Sequence, residues 1–146
     1  MFAMRLFKNV LVTLFIAGNF ATVTGAAYAD ADWFEEQQPL STEEIKSLLI
    51  NRSVTGNSPG SGFSFTVYYP EYGKLLGEAG PWGLYQDEGT WTARENIYCA
   101  RWQHWLDNAE RCYRVYVNKD AIFWVTLDGK LQSKDTLIRE NNQGND

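Results

Sequence analysis

The chain has 146 residues, with 13 basic and 18 acidic side chains and a net charge of −5 at pH 7. An acidic surface without a basic, aromatic-studded stripe excludes nucleic acid as a partner. One histidine and two cysteines are too few to build a zinc or other transition-metal site, and no cofactor motif is found.

The N-terminus reads as an export signal. Arg5 and Lys8 precede an apolar run from Val10 to Ala17, and Ala27-Tyr28-Ala29 fits the small-x-small cleavage pattern, so residues 1–29 are expected to leave with Asp30 as the new first residue. The run is too short to span a bilayer, and no membrane span is expected after processing. Losing Arg5 and Lys8 takes the 13 basic residues to 11 against 18 acidic ones, a net charge of −7. The expected location is periplasmic or secreted. Seventeen of the 22 aromatic residues, including all six Trp, lie in the remaining 117 residues. Large aromatic side chains can compensate for the limited core of so small a domain.

Residues 30–39 form a polar, acidic lead anchored only by Trp33 and Phe34, and much of it is expected to be loose. A single β-rich domain follows over 40–138. It opens with a short helix: Ser41 and Glu44 have capping-box spacing, Glu43 and Glu44 suit the positive helix end, and Leu40, Ile45, Leu48 and Leu49 share one face. Such a helix packs on the sheet or plugs one of its ends. Beyond Asn51 the period changes to two. Strands are predicted at 53–57, 62–69, 74–78, 90–94, 97–102, 112–117 and 121–126, with a weaker one at 130–133. Turn residues separate them, Asp87-Glu88-Gly89 and Asp128-Gly129 among them. Phe63, Phe65, Val67 and Tyr69 share the face assigned to the core, with Ser64 and Thr66 outward. Many short strands with short connections give a mainly β fold, an antiparallel meander curling into a small lipocalin-like barrel that hides its edges. Residues 139–146 form a polar, frayed tail.

Cys99 and Cys112 fall on adjacent strands. With Tyr98, Ala100 and Trp102 inward on one and Tyr113, Val115 and Val117 inward on the other, both cysteines emerge on the opposite face, as a cross-strand disulfide requires. Such a bridge encloses 12 residues. No CxxC pair exists that would favour a redox role.

Gly89-Thr90-Trp91, Cys99-Ala100-Arg101-Trp102 and Cys112-Tyr113, preceded by the Tyr72–Gly77 hairpin, resemble the pattern of a family of small exported bacterial proteins catalogued as a domain of unknown function. The resemblance spans 40–128. It implies a β-rich periplasmic domain with one disulfide, and it brings no catalytic residues.

The bridged loop concentrates the candidate binding residues: Trp102, His104 and Trp105 lie close together at a stapled hairpin end, where stiff aromatics can anchor a ligand. Packing alone is the simpler account of these residues, with Trp102 in the core, Trp105 as a cap and His104 idle. Asp87 and Glu88 form a carboxylate pair that could serve acid–base chemistry, but a solvated turn accounts for them better, since turns recruit these residues anyway. The sequence thus favours a non-enzymatic binding module of the cell envelope. An envelope protein, a peptidoglycan fragment or a small apolar ligand is the expected partner, with an inhibitor of an exported hydrolase, or a carboxylate-dependent enzyme, as alternatives. No catalytic or metal-binding residue is assigned.

Overall fold

The computed structural model describes residues 33–58 and 60–138, so the expected export signal over 1–29 and the tail over 139–146 lie outside the described residues. Eight strands form a closed antiparallel barrel in which each strand pairs with its chain neighbour and the last returns to the first. They are β1 (Arg52–Asn57), β2 (Ser64–Glu71), β3 (Lys74–Ala79), β4 (Tyr85–Arg94), β5 (Ile97–Trp102), β6 (Arg111–Asn118), β7 (Ala121–Thr126) and β8 (Leu131–Ile138). Alternation supports the closure, because inward positions such as Val54, Val67, Leu75, Ala93, Val115 and Ile122 are buried while most of their chain neighbours are at least partly exposed.

One end of the barrel is plugged. Helix α1 (Thr42–Leu49) starts with the complete capping box that Ser41 and Glu44 predict, and its Ile45 and Leu49 are fully buried in the core cluster. Two hydrogen bonds tie α1 to the β4–β5 turn: the Thr42 N–H donates to Asn96 Oδ1 at 2.9 Å, and the Asn96 N–H donates to Thr42 Oγ1 at 3.0 Å. The Leu40 N–H donates to the Val115 carbonyl at 2.8 Å, beyond the point where β5 stops pairing with β6. This plug leaves the opposite end, formed by the β1–β2, β3–β4, β5–β6 and β7–β8 connections, as the mouth.

Three expectations need correction. The lead is not loose throughout: Trp33–Glu36 forms a 3-10 turn, Phe34 is buried against Tyr116, and Trp33 lies 5.3 Å from the Phe123 ring. That contact explains why β7 is buried on both faces, with Ile122 and Trp124 inward and Phe123 and Val125 under the lead. The Asp87-Glu88-Gly89 turn is instead part of β4, which begins at Tyr85, since a buried carboxylate at 87 has partners in the next loop. The weak last strand is a full closing strand, disguised in sequence because its inward positions carry Asp135 as well as Leu137. Pro70 lies inside β2, accommodated by a register shift between Tyr68 and Glu71.

Candidate functional site

The cysteines are directly opposed across β5 and β6 and form the expected bridge, with a Cα–Cα distance of 4.1 Å. Above it, toward the mouth, β5 and β6 stop pairing and the connecting loop folds over the rim. Asp87 holds that fold. Its Oδ2 accepts the backbone N–H groups of His104 at 2.9 Å and Trp105 at 2.8 Å, and its Oδ1 lies 3.0 Å from His104 Nδ1. Burial works against the charged carboxylate, but the N–H groups of Trp105 and His104, the imidazole and the Glu88 N–H outweigh it, and the Asp87 pKa is lowered.

The three candidate residues are therefore divided. His104 turns outward, its side chain 80% exposed, and serves as a clip on Asp87. Trp102 and Trp105 turn inward with ring centroids 4.7 Å apart, and both line the barrel cavity. The space they fill exists because β3 carries Gly77 there. A Cβ on that residue would lie 2.5 Å from the Trp105 ring and 2.6 Å from the Trp102 ring.

The cavity has a volume of about 490 Å³ and opens at the mouth. Eight-stranded barrels of this kind have room for packed side chains or for one small ligand, and the volume falls in the ordinary range of ligand pockets. Its walls are aromatic: Phe65, Tyr69, Tyr98, Trp102, Tyr113 and Trp124. Tyr69 and Tyr98 share a hydrogen bond between hydroxyls 3.1 Å apart, and burial raises the pKa of both. Asp135, on β8, is the one acidic residue of the lining, and burial pushes its carboxyl up to about 6, against the pull of the Trp124 and Ser133 side chains.

Phe63 departs from its expected core position. It precedes β2, is 44% exposed and stacks on Tyr85 at the mouth, ring centroids 6.0 Å apart. Together with Leu84, Leu106 and a fully exposed Trp82 it gives the mouth loops an apolar character. Leu106, Asp107 and Asn108 follow one another with φ between 54° and 58°, a left-handed run costly for non-glycine residues.

Sequence reasoning missed Asp135, Tyr69, Tyr98, Tyr113 and Trp124 as lining residues because a core position and a cavity wall share the same alternation. Asp135 left one signal: counted from Leu137 at period two, it is a charge on an inward position. The residues with carboxylate or metal potential offer less. Asp87 spends both oxygens on the loop, and Glu88 faces outward to Gln103 at 3.2 Å. Cys99, Glu110 and Cys112 lie within metal-binding distance of one another, but both sulfurs belong to the disulfide. Trp91 of the Gly-x-Trp motif is structural, its indole N–H shared between the Glu71 and Lys74 carbonyls at the β2–β3 turn. Comparison with protein-family models, curated proteins and solved structures returned no match in any of the three.

Proposed function

We propose that the protein is a non-enzymatic, exported carrier or sensor that holds a small, largely apolar molecule inside the barrel. The observation that carries this reading is the aromatic-walled cavity of about 490 Å³, in a barrel whose other end holds the buried Ile45 and Leu49 of α1 and whose rim loop is fixed by Asp87 and the disulfide. A carrier needs such a pocket formed before the ligand arrives, since preorganisation lowers the ordering cost of binding. Trp102 and Trp105 form one wall, and His104 contributes indirectly through the loop. The export signal and the disulfide agree on an oxidising compartment.

A second reading has its own support. Trp82 is fully exposed at the β3–β4 connection, with φ of 54°, beside Leu84 at 71% exposure. A rim of this kind fits the inhibitor reading, in which the loop enters the cleft of an exported hydrolase. Native mass spectrometry of protein recovered from the producing cell's envelope separates the two. A one-to-one adduct of small mass supports the carrier. A stoichiometric protein complex that Trp82→Ala abolishes supports the inhibitor, and recovery of the bare chain under mild conditions with no uptake of added apolar compounds would contradict the carrier.

A further inference from the structure

We infer that the cavity takes an organic cation: an apolar body carrying a protonated amine that sits against Asp135. This inference rests on reading the cavity as a ligand site, and it names the chemistry of the ligand.

Asp135 projects inward from β8, is 5% exposed and lines the cavity beside Gln132 and Ser133. The Trp124 and Ser133 side chains both favour its charged form, the Ser133 hydroxyl donating to Oδ2 at 3.3 Å, while its Oδ1 is buried without a hydrogen-bond partner. A native interior rarely leaves a carboxylate oxygen unmatched, because desolvating it is costly. Among the described residues no Lys or Arg forms an ion pair with it. Its neighbour Lys134 lies over the Phe123 ring, and Arg111 lines the cavity beside Tyr113. With its pKa near 6, Asp135 is mostly charged at neutral pH.

The surroundings give this carboxylate room to act. A Cβ on Gly56 of β1 would lie 2.2 Å from Asp135 Oδ1 and 2.8 Å from the tip of the Phe65 ring, so β1 keeps a glycine where the carboxylate and the ring meet its backbone. The β1–β8 seam pairs only Ser53, Val54 and Thr55 with Ile138, Leu137 and Thr136, and Asp135 is the first residue past that pairing. The remaining walls suit a cation, since the faces of Tyr69, Tyr98 and Trp124 are electron-rich and attract ammonium groups. The net negative charge of the chain would favour the approach of cations over anions.

Three ligands of one chain length test the inference: decylamine, decanol and decanoate, each titrated by displacement of the neutral fluorophore N-phenyl-1-naphthylamine at about neutral pH. Decylamine should displace the probe at least about tenfold more tightly than decanol, the gain expected of one charge-assisted hydrogen bond. Decanoate should be the weakest. In Asp135→Asn the amine's advantage over the alcohol should shrink to about twofold or less, the partner charge having gone. Equal binding of amine and alcohol by the wild-type protein overturns the inference and leaves the cavity reading standing. Preference for decanoate overturns it in favour of Arg111 as the anchor. Failure of the probe and all three ligands to bind overturns the cavity reading, and this inference with it. The wild-type comparison decides the matter even if Asp135→Asn folds poorly.

Discussion

Two aspartates on inward positions of the barrel behave in opposite ways, and the difference lies in their donors. Asp87 accepts two backbone N–H groups and faces an imidazole, so the folded state favours its charge and its pKa is lowered. Its contribution is present above the ordinary carboxylate pKa and is lost as pH falls through the lowered one. Asp87→Ala leaves the N–H groups of His104 and Trp105 without their acceptor, and denaturant unfolding should show a loss of about 1–3 kcal/mol. At Asp135 the cost of burial outweighs the pull of the Trp124 and Ser133 side chains, and its pKa rises to about 6. The folded chain then binds a proton that the unfolded chain has released, so stability should decline as pH rises from about 4 to about 6, by on the order of 2–3 kcal/mol. Asp135→Asn should lack that slope in urea melts taken across the same range. A stability difference between wild type and Asp135→Asn that stays constant across that range would contradict the assigned burial of Asp135. At Gly77 the constraint is volume: Gly77→Ala drives a Cβ into two indoles, and a thermal melt should register an overpacking cost of about 1–3 kcal/mol.

Among the elements, those defined by their own chain neighbours were the most legible. The Ser41–Glu44 capping box, the alternation in β5 and β6 and the facing cysteines are local patterns, and all three appear as read. Elements defined by distant partners were obscured. β8 hides its inward face behind Asp135, β4 begins in a stretch that composition assigns to a turn, and β7 is apolar on both faces because a segment about 90 residues earlier covers one of them. Phe34 carries that cover. Its replacement by Ala should cost about 3 kcal/mol in chemical denaturation, the usual loss for a buried aromatic. The disulfide lies just below the point where β5 and β6 separate toward the mouth. Reduction should lower stability by about 3 kcal/mol for a loop of this size, read by comparing oxidised and reduced melts.

At the scale of the whole molecule, the barrel combines a plugged end and an open one, and the candidate site follows from that asymmetry. Trp102 and Trp105 were legible as aromatics on a stapled loop; that they belong to a wall with Tyr69, Tyr98, Tyr113 and Trp124 depends on barrel closure, which brings β2, β5, β6 and β7 around one space. His104 was grouped with the two indoles by sequence proximity, but the backbone turns it outward to Asp87. If this space receives a ligand, Trp-sensitised emission of N-phenyl-1-naphthylamine should report it, because Trp102, Trp105 and Trp124 all line the cavity. Excitation of tryptophan should give saturable probe emission at one probe per chain, and Ala79→Trp, placed on the cavity lining, should abolish it without lowering the melting temperature. Emission that never saturates, or that persists undiminished in Ala79→Trp and disappears in Trp82→Ala, would place the probe on the outer rim and contradict binding in the cavity.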